Sequence, residues 1–308
     1  MTIRLVAFSL CCALLFVGCV ATFAQQITDP DFKASVEHPA YTKNFPRVLF
    51  DEGHNNFHTA TGRYKPFADL ISNDGYHVVR GRKPFNKETL DTFKVLVIAN
   101  ALGAEDMDDE GADRTAFSDQ ECDAVRDWVH DGGALLLTAD HAPFGAAAEN
   151  LAKRFNVDMS KGVTHDPANY EKGSDNQAWI VYSRENKLLL DHPITAGRND
   201  AEKISRVIAF TGQSLKGPDG SAVLLKLADT AVDTMPSAPA KEVSAAGRAQ
   251  GIAVKFGKGR IVVLGEAGML SAQLSGRENS PMGMNYPGLD NKQLALNIMH
   301  WLSGLLKQ

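Results

Sequence analysis

Short apolar runs alternate along the first half of the chain with stretches whose apolar residues recur every three or four positions. Arg47-Val48-Leu49-Phe50-Asp51 is the first run; it ends in polar residues and Gly53 and reads as a buried strand. Tyr64, Phe67, Ala68 and Ile71 then follow at i, i+3, i+4 and i+7, one face of a helix, which Asp74-Gly75 closes. His77-Val78-Val79 and Lys94 to Asn100 predict two further strands. Ser118-Asp119-Gln120-Glu121 has the form of a capping box, and Cys122, Val125, Trp128 and Val129 share a face behind it, so a helix is expected from about Asp119 to Asp131, before Gly132-Gly133. Ala134 to Ala139 is a fourth strand, and a helix is expected from about Gly145 to Phe155. Alternation of this kind implies a mainly parallel sheet covered by helices on both faces.

Beyond about residue 160 the rhythm is less regular. Trp179 to Tyr182, Val207 to Phe210 and Val223 to Leu227 are strand-like, and Ile252 to Phe256 and Arg260 to Leu264 flank a Gly257-Lys258-Gly259 hairpin turn. Pro236 to Arg248, rich in Ala, Ser and Pro, reads as a loop or flexible insert. Leu294, Ile298, Trp301, Leu302 and Leu305 mark a final helix. The expected architecture is one α/β domain over residues 46–308, a three-layer sandwich with an irregular β-rich second half, preceded by an extended leader over residues 25–45 that carries Pro30 and Pro39.

Residues 1–24 change the picture of where the protein works. Arg4 followed by the apolar stretch Leu5 to Val20 and by Thr22-Phe23-Ala24 has the layout of a secretory signal, which predicts export to the periplasm or beyond. Phe16-Val17-Gly18-Cys19 also resembles a lipobox, so lipid anchoring at Cys19 is the minor alternative; the apolar residues after it favour free secretion. No later segment reaches the apolar length of a transmembrane helix. Three of the four cysteines lie in this segment, and Cys122 faces the interior of its expected helix, so neither a disulfide framework nor a cysteine metal cluster is expected. With 32 Lys+Arg against 37 Asp+Glu, the chain has a net charge of −5, which argues against a nucleic-acid partner.

Familiar motifs fail on inspection. His54 and His58 have the spacing of a zincin pair, but Asn55 stands where its Glu belongs. Asp106, Asp108, Glu110 and Gly111 begin like an EF-hand loop that ends on Phe117 instead of Glu, so a solvated acidic loop is expected. The informative signal is positional, because ligands of open parallel sheets bind beyond the carboxyl ends of the strands. That edge collects Asp51 and His54, Asn100, Asp140 and His141, and Glu266 if its strand runs parallel to the others. Carboxylates and imidazoles so gathered could run acid/base chemistry or bind a divalent metal. Asp51 and Asp140 could equally cap the turns that follow them. His58 and His165 read as loop residues, His192 as a turn residue and His300 as packed. Asn285 and Tyr286 lie in a loop able to cover the site.

Val48-Leu49-Phe50-Asp51-Glu52-Gly53-His54, the Gly132-Gly133-Ala134-Leu135-Leu136-Leu137 junction and Asp191-His192-Pro193-Ile194 together resemble the class I glutamine amidotransferase-like superfamily, in its exported branches, and more distantly trehalose-utilisation-type proteins. The likeness spans about residues 46–270 and implies a flavodoxin-like fold. It does not carry glutamine hydrolysis, because the matching strand-to-helix turn is Ala139-Asp140-His141-Ala142, without the cysteine nucleophile, and no His-x-Glu pair stands near Glu266. The expectation is an exported hydrolase or lyase for a small polar, sugar-like substrate, using Asp51, His54, Asp140, His141 and Glu266. A noncatalytic binding module on the same fold is the alternative.

Overall fold

The computed structural model describes residues 26–276 and 278–307; the segment expected to be a secretory signal, with Cys19, lies outside them. Strands β1 (Arg47–Asp51), β2 (His77–Gly81), β3 (Val95–Ala99), β4 (Ala134–Thr138), β5 (Ala249–Phe256) and β6 (Gly259–Leu264) form the centre of the main sheet, in the order β2-β1-β3-β4-β6-β5. All of these run parallel except β5, which turns back on β6 through the glycine hairpin. Beyond β5 the sheet continues into the antiparallel strands Leu215–Lys216 and Asp158–Met159, and Ala222–Lys226 also pairs with β5. The parallel part has the flavodoxin-like order, in which the chain reverses its direction of growth between β1 and β3.

Strand periodicity divides the core in two. Val48, Phe50, Val95, Val97 and Leu136 face helices α1 (Lys65–Asn73) and α4 (Asn291–Ser303). Leu49, Leu96, Ile98, Leu135 and Leu137 face α2 (Asp119–His130) and α3 (Phe144–Lys153). β3 and β4 are buried along their whole length, as strands covered on both faces must be. Ser118 and Glu121 form the expected capping box, and Cys122 is a buried free cysteine. His192 caps the turn Pro193–Ala196, and His300 is fully buried against Asp74 at 2.7 Å.

One segment departs from expectation. Pro236 to Arg248 is not a flexible insert: Val232–Met235 and Lys241–Ser244 form a hairpin across Ser237-Ala238-Pro239-Ala240, and Val163–His165 adds a third strand. Its anchor is polar, with buried Asp233 accepting the hydroxyls of Thr164 (2.5 Å) and Ser214 (2.6 Å), so apolar periodicity carries no trace of it. The leader is extended but not loose. Ile27–Thr28 pairs with the hairpin Ala272–Ser275/Ser280–Gly283, which follows the sheet in sequence and stands at its carboxyl edge. Among the described residues no helix is long and apolar enough to cross a membrane.

Candidate active site

The carboxyl edge of the sheet opens into a cleft of about 1370 Å³. Asp140, His141 and Glu266 line it together with His58, Arg63, Phe144, Trp179 and Phe210. The structure therefore brings together three of the residues expected at a site, on the turns after β4 and β6. Glu266 joins them because β6 pairs parallel with β4 over Arg260–Leu264, which sets both strand ends at one level.

Asp51 and His54 form a separate cluster. His54 Nδ1 lies 2.9 Å from Asp51 Oδ1, and its Nε2 lies 2.9 Å from Glu121 Oε1 on α2. The ring is held between Phe85 and Phe117, with centroids 4.7 and 4.6 Å away. Burial opposes charge on this imidazole, but the hydrogen bonds and charges of Asp51, then Glu121, outweigh it and raise its pKa. Burial likewise opposes charge on Glu121, yet the side chain and backbone of Ser118, then His54 and the Phe85 N–H, bring its pKa down to about 2. An imidazolium with both nitrogens on carboxylates has no lone pair left for a metal or for proton abstraction. It ties the loop after β1 to α2 and does not line the cleft.

Asp140 is held from two sides. Asn100 Nδ2 donates to Oδ2 at 2.7 Å, and the Ala267 N–H donates to Oδ1 at 2.5 Å. Asn100 adopts a left-handed backbone (φ 48°), which turns the chain sharply at the end of β3 and directs its amide across to β4. Burial raises the pKa of Asp140 against the opposing pull of Asn100, His141 and Ala267. Gln213 fixes the same turn from beneath, donating to the carbonyls of Ala139 and Asp140 at 2.9 Å each.

Glu266 is buried and accepts the N–H groups of Gly268 (2.5 Å) and Met269 (2.7 Å). Burial, and then the charge of Asp140, push its pKa up to about 8 in spite of these donors. Both acids are thus pushed up, and Glu266 keeps its proton at neutral pH, as expected when neighbouring acids share a low-dielectric site. His141 Nδ1 lies 2.8 Å from the carbonyl of Ala142; a carbonyl can only accept, so Nδ1 carries a proton, and in the neutral ring the lone pair is on Nε2.

Several wall residues escaped the sequence reading. His58, read as a loop histidine, is buried because the loop after β1 packs onto the turn after β3, with the Phe57 N–H on the Asn100 carbonyl at 2.8 Å and the His58 ring edge-on to Tyr64. Burial, with the charge of Arg63, lowers its pKa to about 3, so it stays neutral. Trp179 and Phe210 come from a two-stranded ribbon far away in sequence, and Thr211 lines the cleft with φ 81°, a strained backbone for a β-branched residue. The acidic loop contributes Asp106 and Asp108 to the rim. Tyr286 packs behind Trp179 and Phe210, and Asn285 bonds Asp29 and the Gln273 carbonyl, so neither covers the cleft. His165 lies in the three-stranded sheet and does not line the cleft. Among the described residues no three His, Cys, Asp or Glu side chains are gathered to hold a metal ion. The Cys122 thiol is pushed up to about 11, chiefly by burial, which leaves it no nucleophilic thiolate.

No protein-family model matches the chain, and no curated protein matches it. Solved structures do. The mmIFT52 N-terminal domain superposes with a TM-score of 0.59 at 14% identity, over 83% of this chain and 97% of that domain. Also similar are a GMP synthase component from Thermoplasma acidophilum (TM-score 0.44, 12% identity, 85% of this chain and 96% of that one) and a thua-like protein from Bacteroides uniformis (TM-score 0.41, 13% identity, 89% and 95%). At such identities these likenesses concern the fold.

Proposed function

We propose that this chain is an exported hydrolase or lyase that acts on a small polar, sugar-like substrate by acid/base chemistry in the cleft. The observation that carries the reading is the pairing of Glu266 and Asp140 on one wall of the cleft, where burial and then the charge of Asp140 push the Glu266 pKa up to about 8 and so keep an acid protonated at neutral pH. In this reading Glu266 gives its proton to the departing oxygen. The Nε2 of His141, or Asp140, takes one from the attacking water or from the substrate carbon. Trp179 and Phe210 offer the apolar faces on which a sugar ring stacks. Export rests on the layout of residues 1–24 alone, and the resemblance of the sequence to amidotransferase-like proteins implies the fold without supplying the amidotransferase reaction.

A second reading has its own observation. Every carboxyl oxygen of Asp140 and Glu266 already accepts an N–H, so Asp140 also staples the turns after β3, β4 and β6 and Glu266 caps its own turn, as a noncatalytic ligand-binding module would use them. The exported chain assayed on simple glycosides, glycosyl esters and sugar acids separates the two. An enzyme turns over at least one class, and Glu266→Gln, which keeps the shape but not the acid, lowers that turnover by about 10²–10⁴-fold with the fold intact. Sugar binding with no turnover anywhere in the panel would leave the binding module.

A further inference from the structure

Two donors on the cleft wall are left unused by this chemistry. Arg63 ends the turn before α1 with its guanidinium carbon 3.9 Å from the centre of the Phe57 ring. Among the described residues it makes no ion pair and no hydrogen bond, although it is half-buried. His58 is the second. The Asn100 side chain accepts the Asp140 N–H through Oδ1, which fixes its other end, Nδ2, toward Asp140 Oδ2 and, at 3.5 Å, toward His58 Nδ1. An amide nitrogen can only donate, so His58 Nδ1 is an acceptor and the ring proton sits on Nε2. That Nε2–H is buried without a partner. An unsatisfied buried donor is costly, and this imidazole N–H has near it a half-exposed guanidinium that no carboxylate bonds, a pair suited to an oxyanion.

We infer that the substrate of this cleft carries a carboxylate, as a sugar acid such as a uronate does, and that Arg63 and the Nε2–H of His58 receive it. This rests on the small-polar-substrate reading above and narrows it. A planar guanidinium matches a carboxylate through two parallel N–H bonds, and the Phe57 ring beneath holds the plane in place. Its charge count also favours a monoanion. Asp106, Asp108 and Asp140 share the cleft with this single arginine, and a doubly charged phosphate ester would meet their repulsion with no second cation among the described lining residues to offset it. A neutral sugar would leave Arg63 and His58 as they are, with their donors unmet.

The test is calorimetric titration of the exported chain with D-glucuronate, D-glucose and D-glucose 6-phosphate at one pH and ionic strength. Glucuronate should bind at least about tenfold more tightly than glucose, and more tightly than the phosphate ester. Arg63→Gln should bring glucuronate to the level of glucose while the melting temperature stays put, and Arg63→Lys, which keeps the charge but not the fork, should fall between. Equal affinity for glucuronate and glucose, or a preference that survives Arg63→Gln, overturns the inference and leaves a sugar cleft with no anion site. Tighter binding of the phosphate ester overturns the carboxylate assignment. Binding of none of the three overturns the inference outright, whereas the acid/base reading stands or falls separately on the turnover of Glu266→Gln.

Discussion

Glu266 sits two residues beyond β6 with its carboxyl wedged under the N–H groups of Gly268 and Met269 and beside Asp140, out of reach of bulk water. Its folded-state pKa of about 8 lies above the ordinary value of 4.5, so between these values the native state keeps a proton that the unfolded chain has released. The stability it contributes is therefore complete below the unfolded pKa and lost as pH rises through the folded one. Urea unfolding at about pH 5, 6.5 and 8 should show the wild type weakening across the series, and Glu266→Gln, which cannot ionise, should weaken less; equal slopes would remove the protonated carboxyl from the account. Glu121 behaves in the opposite sense, its contribution being present above its ordinary pKa of 4.5 and lost as pH falls toward about 2. Two carboxyls of one type thus differ because Glu121 has hydrogen bonds from Ser118 and a bonded imidazole that outweigh its partial burial, while Glu266 is wholly buried and has an acid for a neighbour.

Among the elements, α2 does more than cover a sheet face. Its capping box holds Glu121 with Oε2 on Ser118 and leaves Oε1 free for His54 Nε2 and the Phe85 N–H, so one helix end fastens the loops after β1 and β2. Ser118→Ala should cost about 1 kcal/mol of unfolding free energy in urea, from the cap alone. The same change should shift the titration of the His54 ring protons followed by NMR, since Glu121 loses the contact that orients it; an unchanged titration would show that His54 holds Glu121 without the cap. The strands, the capped helix and the glycine hairpin were legible beforehand because each is encoded locally, by periodicity, by a box of four residues or by a turn dipeptide. The hairpin over Val232–Ser244 was not, because its buried anchor is an aspartate bonded to hydroxyls from segments distant in sequence.

For the molecule as a whole, the cleft depends on a close crossing of two backbones. A Cβ on Gly265 would lie 2.2 Å from the Gln213 carbonyl oxygen, and one on Gly212 would lie 2.3 Å from the Gly265 carbonyl oxygen. The Gln213 N–H donates to that Gly265 carbonyl at 2.7 Å, so the segment that carries Thr211 and Gln213 is fastened to the strand end that carries Glu266. Gly265→Ala should force the two apart, at a cost of about 2 kcal/mol or more in stability, and should lower ligand affinity in the cleft. A variant of wild-type stability and affinity would show that the crossing can relax.

By itself the sequence determined the alternation of strands and helices through the first half of the chain, the parallel direction of the sheet and the edge where polar residues gather, because apolar periodicity and strand-end position are written within a few residues of one another. Asp140, His141 and Glu266 were reached in that way. Only the tertiary structure decided that Asp51 and His54 belong to an internal ion cluster, since their fate turns on Glu121 of a distant helix. It also decided that His58, Arg63, Trp179 and Phe210 share the cleft with those acids. Burial and long-range charge set the protonation of each group, and neither is a property of the residues adjacent in the chain.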